Sequence, residues 1–262
     1  MSSKIFREER LQMITEIAYQ QKKVIVNDLA EKFDRSPSSI RLDLDELEAR
    51  GLLVRTHGGA ILAEDIETDF VLGKNFLTKR IEMNKLEKQR IAEAVANLVR
   101  DGDSVMLDGG STTYYVAKSL KSKRGLTVIT TSLYLLPALM ENSETKIFMT
   151  GGMIHRDFQD LVGGISVDSL ARFTPTCAIT GIDGFSIDHG FTTTEPSMAQ
   201  IKKKMLSVCR KSIVVADSSK YGKSCLFHVA NLQDVYALVT DKNVPEELKQ
   251  HLANSGIELI LV

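Results

Sequence analysis

The chain has no excess of charge of either sign. Its 262 residues include 33 Lys and Arg and 34 Asp and Glu, for a formal net charge of −1. A protein that coats a polyanion without selectivity needs a field of one sign, so the balance argues against that class. A small module that reads DNA through a few placed cations is compatible with the same balance.

Long hydrophobic runs are also missing. The longest apolar stretch, Leu133 to Met140, is interrupted by Pro137 and is far shorter than the roughly 18 residues that a membrane span needs. The first ten residues are polar and charged, so we expect no secretory signal and no membrane partner. A hydrophobic content of 43% with 26% charged residues is typical of a globular chain with a real core.

Cysteine is scarce, with only Cys177, Cys209 and Cys225. Their wide spacing matches no zinc pattern, and we expect neither a metal nor another cofactor. Free thiols are typical of a reducing compartment, so the chain is expected to be cytoplasmic. Cys177 and Cys209 lie in apolar surroundings and are predicted to fill the core.

Residues 1–62 carry the apolar spacing of three short helices. The first is predicted between Arg7 and Gln20. Asn27 is the predicted N-cap of the second, and Ser36-Pro37 predicts the start of the third, with serine as cap and proline in the first turn. Two strands, predicted at 52–56 and 60–62, follow around a turn at 57–59. Helices, turn and hairpin together predict a winged helix-turn-helix.

The third helix has a core side and an outward side. At about 100° per residue, Ile40, Leu44 and Leu47 fall together and Leu42 falls opposite. The outward face of the first turns is small, hydroxylated and cationic, which suits entry into a DNA major groove. The candidate DNA-binding residues are Arg35, Ser36, Ser38, Ser39, Arg41, Leu42, Arg55 and His57.

The charge of this module weakens the electrostatic argument. Residues 1–62 contain ten basic and ten acidic side chains. DNA affinity would therefore come from a few placed groups, doubled by oligomerisation. The alternative interpretation is a helical adaptor that binds another protein.

The rest of the chain has a different pattern. Residues 63–78 are acidic and weakly patterned, as in a linker, and residues 79–262 alternate strands with helices, which predicts a mostly parallel α/β domain. A glycine-rich turn at 108–113 joins a strand to a helix N-terminus. Such a turn is either an anion site or an ordinary turn capped by Ser111 or Thr112.

Polar residues follow several of the predicted strands. Ligands bind at the carboxyl ends of strands in open parallel sheets, and the mixture of hydroxyls, carboxylates and cations predicts a site for a phosphorylated sugar. Lys202 is predicted on a helix that follows a turn at 190–193. It also belongs to a basic run whose members are usually solvated, and Asp217 could serve only as a cap. The candidate ligand-binding residues are Asp108, Gly110, Ser111, Thr112, Thr113, Thr131, Ser132, Gly151, Gly152, Asp183, Lys202 and Lys220.

These motifs resemble the DeoR family of bacterial transcriptional regulators. The N-terminal signature runs from Leu29 to the His57-Gly58-Gly59-Ala60 turn, and the motifs at 108–113, 151–152, 181–184 and 217–222 resemble its sensor domain. That domain is similar in fold to ribose-5-phosphate isomerase and CoA-transferase-like proteins. The family usually has a second arginine where Leu42 stands, and asparagine where Thr131 stands.

The resemblance implies a transcriptional regulator; we expect a repressor of a sugar-catabolism operon, with an activator as the alternative. A winged helix-turn-helix at 1–62 would bind a double-stranded operator, and a phosphorylated sugar bound at 79–262 would relieve repression. The resemblance also implies a homo-oligomer, either a dimer or a tetramer, because these regulators bind repeated or palindromic operators.

The alternative is a sugar-phosphate isomerase with an appended interaction module. Asp183 and Lys202 would then be its base and acid. Against this, the sequence beside Lys202 offers Ser197, Met198 and Gln200 and no second carboxylate, so we expect no enzymatic activity.

Overall fold

The computed structural model describes residues 7–21, 23–49, 53–62, 74–209 and 211–262. The chain divides into two compact units, Met1–Lys74 and Asn75–Val262. Within the described residues, no helix is both long and apolar enough to cross a membrane.

The first unit is a three-helix module with a small antiparallel sheet, as predicted. Its elements are α1 (Arg7–Gln21), β1 (Lys23–Ile25), α2 (Val26–Phe33), α3 (Pro37–Ala49), β2 (Leu53–Thr56) and β3 (Gly59–Leu62). The strand order in the sheet is β1-β3-β2. Burial at helical spacing along α2 and α3 places one apolar stripe of each helix in a shared core with α1.

The two predicted helix caps had different outcomes. Ser36 caps α3, because its Oγ accepts a hydrogen bond from the backbone N–H of Ser39 at 3.2 Å. The prediction for Asn27 was wrong: α2 begins at Val26, and its N-cap is Ile25, which makes no side-chain cap bond. Strand β1, which the sequence reasoning missed, ends at Ile25, and the helix follows it directly, so Asn27 already lies in the first turn. The predicted start of β2 at Leu52 lies outside the described residues.

A buried ion pair joins α1 to α3. Arg10 donates to both carboxylate oxygens of Asp43, at 2.7 and 3.1 Å, and Arg7 adds a third bond at 3.3 Å. Asp43 is almost fully buried on the core side of α3. The pair fixes the angle between the two helices because its two bonds are parallel and directional.

The second unit is built on a seven-stranded sheet in the order β15-β14-β12-β9-β4-β5-β6. Every pairing within it is parallel, so the predicted α/β class is confirmed. Its elements are α4 (Lys74–Glu82), α5 (Lys85–Leu98), β4 (Ser104–Leu107), α6 (Ser111–Ser119), β5 (Thr127–Thr130), α7 (Leu136–Met140), β6 (Lys146–Met149), β7 (Met153–His155), β8 (Asp160–Val162), α8 (Gly164–Leu170), β9 (Cys177–Gly181), β10 (Gly184–Ser186), β11 (Gly190–Thr193), α9 (Pro196–Ser207), β12 (Ser212–Val215), β13 (Phe227–Ala230), β14 (Ala237–Thr240), α10 (Glu246–Asn254) and β15 (Glu258–Leu261).

Two regions of this unit differ from the sequence expectation. The predicted linker 63–78 ends too late, because residues 74–78 already belong to α4, while 63–73 lie outside the described residues. The stretch 190–193, expected as a turn, is strand β11 of a small antiparallel sheet with β10 and β13. Its four residues are all buried, and burial on both faces favours pairing over a solvated turn.

The sheet is covered on both faces. Along β4, Val105 and Leu107 pack with α5 and α6, whereas Met106 packs with α8 and α9. Cys177 and Cys209 are buried in these two cores, as predicted. Burial raises the pKa of the Cys177 thiol to about 12, so it stays protonated and inert at neutral pH.

Candidate functional site

An open cleft lies at the carboxyl ends of β4 and β9. It is the place where parallel α/β sheets commonly bind ligands. Its lining combines backbone amides at the start of α6 with cationic, acidic and apolar side chains. The lining residues are Leu77, Arg80, Gly109, Gly110, Ser111, Thr112, Phe158, Gly181, Ile182, Asp183, Thr193, Met198, Lys202 and Lys220.

The glycine-rich turn before α6 lines one wall of the cleft. The first N–H groups of a helix have no partner within the helix, and they carry the positive end of its dipole. The Asp160 carboxylate packs closely against the backbone of Gly109, because a Cβ at Gly109 would lie 2.1 Å from both carboxylate oxygens. The turn therefore needs glycine, and it presents backbone rather than side chain to the cleft.

Asp183 is held ionised on one side of the cleft. It forms an ion pair with Arg80, and it accepts hydrogen bonds from Thr193 Oγ1 at 2.6 Å and from the Thr194 backbone at 3.1 Å. Burial alone would raise the pKa of Asp183, but the Arg80 charge and these donors hold it below its usual range. A carboxylate in this state accepts hydrogen bonds well and takes up protons poorly.

Lys202 lies nearly buried at the base of the cleft. Its Nζ donates to Asp108 and, at 2.9 Å, to the carbonyl of Gly181. Asp108 also accepts two bonds from the Gly181 backbone N–H, at 3.0 and 3.1 Å. The sequence beside Lys202 offers no second carboxylate, but the fold brings Asp108, which is remote in sequence, into contact with it.

Asp160 is a second buried carboxylate, beneath the turn. Burial raises its pKa to about 7, and the neighbouring Asp108 charge adds to this, with Lys202 opposing. Its Oδ1 accepts a hydrogen bond from Thr131 Oγ1 at 3.3 Å. The base of the cleft thus holds two carboxylates and one lysine, all withdrawn from water.

Lys220 reaches the cleft from the turn after β12. Asp217 caps this turn by accepting from the Ser219 backbone N–H at 3.1 Å, so the interpretation of Asp217 as a cap is correct. Burial, and then the Arg80 charge, lower the pKa of Lys220. Lys220, Arg80 and Lys202 are three cationic groups from separate elements that meet in one cleft.

The structure brings half of the predicted ligand-binding residues to the cleft surface. Asp108 and Thr113 lie behind that surface as supports; Thr113 Oγ1 donates to the Gly110 carbonyl at 3.1 Å. The residues that line the cleft are Gly110, Ser111, Thr112, Asp183, Lys202 and Lys220.

The remaining predicted residues follow β5 and β6, and among the described residues they are not part of the lining. Neighbouring strands are about 4.8 Å apart, and β6 is two strands from β4, so the residues that follow β6 lie away from the cleft. Thr131 and Ser132 are buried beside Asp160. Gly151 and Gly152 have positive φ, and a Cβ on Gly152 would lie 2.7 Å from the Val162 carbonyl, so that glycine serves hairpin packing.

Arg80 is the charged residue of the described cleft lining that the sequence reasoning missed. The predicted linker 63–78 ends just before it, so the sequence reasoning expects no helix face at this point. The signal was available: Leu77, Arg80 and Ile81 have the spacing of one helix face, and Leu77 and Ile81 are buried.

The predicted DNA-reading face is exposed on the first unit. Ser38, Arg41 and Leu42 point outward from α3, and Leu42 is 64% exposed, as its helical projection indicated. Arg41 and residues 56–61 of the β2–β3 turn line one open groove, so the recognition helix and the wing face the same space. His57 lies exposed in that turn.

Other predicted DNA-binding residues have partners within the unit. The Arg55 guanidinium contacts Asp45 and the Arg41 carbonyl, both at 3.4 Å, and the Ser36 hydroxyl caps α3. Ser39 and Arg35 are partly buried. Fewer of the predicted DNA-binding residues are therefore available at the surface than the sequence reasoning expected.

A winged helix-turn-helix and a sensor-type α/β domain in one chain define a ligand-responsive DNA-binding regulator. The family model of the DeoR-like helix-turn-helix domain matches residues 10–65, and that of the DeoR C-terminal sensor domain matches residues 83–242. The chain belongs to the DeoR family of transcriptional regulators.

Similar proteins include regulators of both signs. The HTH-type transcriptional repressor CsqR of Escherichia coli K12 is 30% identical over 97% of this chain and 94% of its own length. The L-fucose operon activator of Haemophilus influenzae is 29% identical over 96% of this chain and 99% of its own. Among solved structures, a D-ribose-5-phosphate isomerase in complex with phospho-erythronic acid is 17% identical over 51% of this chain and 52% of that chain, with a TM-score of 0.39.

Proposed function

We propose that this chain is a cytoplasmic repressor of an operon for sugar use, and that a phosphorylated sugar in the cleft weakens its binding to the operator. The observation that carries the proposal is the convergence of Arg80, Lys202 and Lys220 with the N-terminal amides of α6 at one cleft. Cations and helix N-terminal amides together are a strong site for a phosphate group.

The same cleft has groups for the sugar. Asp183 is ionised, and its Oδ2 lies among the hydroxyls of Thr193 and Thr194, an acceptor-rich region for hydroxyl donors. Leu77, Ile182 and Met198 provide apolar walls for the carbon skeleton. Three cations face the two carboxylates Asp108 and Asp183 in the cleft. Positive charge that these carboxylates do not offset is left to match part of the negative charge of the ligand.

The DNA-binding half of the proposal rests on the small exposed face of α3. Its first turns place hydroxyls, the helix N-terminus and Arg41 on the surface, and no acidic residue lies among residues 36–42. Because residues 1–62 carry no net charge, we propose that two or more copies bind a repeated or palindromic operator as a dimer or tetramer. Sedimentation of the full chain with and without DNA tests this assembly.

A DNA-binding titration tests the regulatory function. A duplex selected from a random pool is titrated with full-length protein at constant ionic strength, with pentose and hexose phosphates or the matching unphosphorylated sugars. At least one sugar phosphate is expected to weaken DNA binding about fivefold or more, and its unphosphorylated form to have no effect. Unchanged DNA affinity with every sugar phosphate would refute the proposed function.

We also propose that the cleft binds without catalysing isomerisation. An enediol mechanism needs a carboxylate that accepts a proton readily, whereas Asp183 is held ionised by Arg80 and two threonines. Lys202 is occupied by Asp108 and the Gly181 carbonyl. Incubation with ribose and glucose phosphates, followed by product analysis, is expected to show no turnover; turnover would favour the isomerase alternative.

A further inference from the structure

We propose that Arg80 couples occupancy of the cleft to DNA binding, and that helix α4 carries the signal. The inference rests on the proposed function, since it concerns how a ligand in that cleft acts on the DNA-binding unit. It assigns to Arg80 a role beyond holding the ligand.

The position of α4 in the chain is the first argument. Residues 63–73 join the two units, and α4 begins directly after them at Lys74. One turn of α4 contributes both Leu77 and Arg80 to the cleft lining. The two family models match residues 10–65 and 83–242, so α4 lies between the matched segments. The covalent path from the DNA-binding unit thus enters the second unit through a helix that lines the cleft.

The Arg80–Asp183 ion pair is the second argument. The two side chains are 22% and 13% exposed, so an incoming phosphate can reach them. Phosphate and carboxylate compete for the same planar guanidinium fork. If Arg80 turns to a phosphate, Asp183 keeps its bonds from Thr193 and Thr194. The exchange therefore leaves no buried charge without a partner, which keeps its energetic cost low.

The attachment of α4 is the third argument. Its C-terminal end is firmly held: Lys88 Nζ donates to the carbonyls of Arg80 and Met83, and Asn84 Nδ2 donates to Asp217 Oδ1 at 2.8 Å. Among the described side chains of α4, only Leu77 and Ile81 are buried. The helix is therefore fixed to the second unit near residue 84, and the Arg80 side chain extends from this fixed end to the cleft.

These features give the ligand a way to act at a distance. A phosphate that binds Arg80 together with Lys220 and the α6 amides ties α4 to the cleft more strongly than Asp183 alone does. The turn of α4 that carries Leu77 and Arg80 is then held more tightly against the cleft. DNA binding weakens because the operator-bound state needs this turn in its looser arrangement.

The test compares full-length wild type, Arg80→Gln and Lys79→Gln. Lys79→Gln is the matched control, because it removes the same charge from the neighbouring exposed residue of the same helix. Inorganic phosphate is the probe, and sodium chloride of equal ionic strength corrects for screening of DNA binding. Calorimetry gives phosphate affinity, hydrogen exchange reports the amides of residues 77–82, and anisotropy gives DNA affinity at equal phosphate occupancy.

In wild type and Lys79→Gln, phosphate is expected to slow exchange in residues 77–82 and to weaken DNA binding about fivefold or more. Arg80→Gln is expected to bind phosphate about tenfold more weakly and, at equal occupancy, to change DNA affinity less than twofold. Arg80→Lys, which keeps the charge and loses the fork, should bind phosphate with a reduced DNA response; it replaces Arg80→Gln if that variant does not fold.

Two results would overturn the inference while leaving the proposed function intact. One is an Arg80→Gln protein whose DNA response equals that of wild type. The other is complete loss of phosphate binding in folded Arg80→Gln, which would make Arg80 a binding residue only. Failure of wild type to bind either phosphate or any sugar phosphate would instead refute the proposed function.

Discussion

The two units use charged residues in opposite ways. In the first unit the buried Arg10–Asp43 pair joins two helices and lies away from the reading face, whose exposed groups are small and few. In the second unit the buried Lys202–Asp108 pair lies directly under the cleft. In the first unit the buried ion pair stabilises helix packing. In the second unit the buried ion pair stabilises the fold and also lies beneath the proposed ligand cleft.

Lys202→Met breaks this comparison most strongly. It leaves the Asp108 carboxylate buried without its cation, which should lower the free energy of unfolding of the second unit by about 3–5 kcal/mol and abolish phosphate binding. Urea unfolding monitored by circular dichroism, with calorimetry for phosphate, measures both. The exposed neighbour variant Lys203→Met should change neither, and equal effects of the two variants would contradict the account.

Asp43→Ala is the counterpart in the first unit. Removal of the partner of Arg10 should destabilise that unit by about 3 kcal/mol and weaken DNA binding, with phosphate affinity unchanged. Asp45→Ala, at an exposed position of the same helix, should cost less than about 1 kcal/mol. Loss of phosphate binding in Asp43→Ala would show that the buried ion pair of the first unit also affects ligand binding, which would contradict the comparison.

The pH dependence of stability should differ between the units because of Asp160. Its pKa is raised to about 7 in the folded chain, above the value near 4 expected when unfolded. The folded state then holds an extra proton between about pH 4 and 7, and stability falls as pH rises through this window. Asp160→Asn should flatten the slope by up to about 1.4 kcal/mol per pH unit.

The measurement is urea unfolding of the second unit at pH 4.5 to 8, with Asp157→Asn, an exposed neighbour, as control. Asp108 and Lys202 face Asp160, and their charges shift the pKa of Asp160 in opposite directions. A slope that is identical in wild type and Asp160→Asn would exclude Asp160 as its source.

Leu42→Arg should give the smallest effect. An arginine on the outward face of α3 adds one phosphate contact per subunit, so general DNA affinity should rise a few-fold and the slope of log affinity against log salt should steepen by about 0.9 per copy. Leu86→Arg adds the same charge at an exposed position of the second unit. Salt titrations that do not distinguish the two variants would exclude a DNA contact at position 42.

Patterns local to one element were predictable from the sequence. The Ser36 cap, the buried side of α3 and the central strands of the parallel sheet each follow from spacing or residue type within a few positions. The lining of the cleft was only half predictable, because strand order decides which strand ends meet. Since β5 and β6 lie toward one edge, Thr131 and Gly151 follow strands yet lie outside the lining, whereas Arg80 arrives on a helix.

The contact between Lys202 and Asp108 could not be predicted from the sequence either. The two residues are 94 positions apart, and the contact depends on β9 lying beside β4. Parallel neighbours in a sheet are joined by long crossovers, so sequence spacing carries no record of such a pair.

Reciprocal linkage is the most direct test of the central claim that sugar-phosphate binding and DNA binding oppose each other. Calorimetry measures the affinity of the active sugar phosphate for the full chain, alone and saturated with operator duplex, at one ionic strength. The account predicts that operator weakens sugar-phosphate binding by the same factor by which the sugar phosphate weakens operator binding. A sugar-phosphate affinity that is the same with and without operator would contradict it.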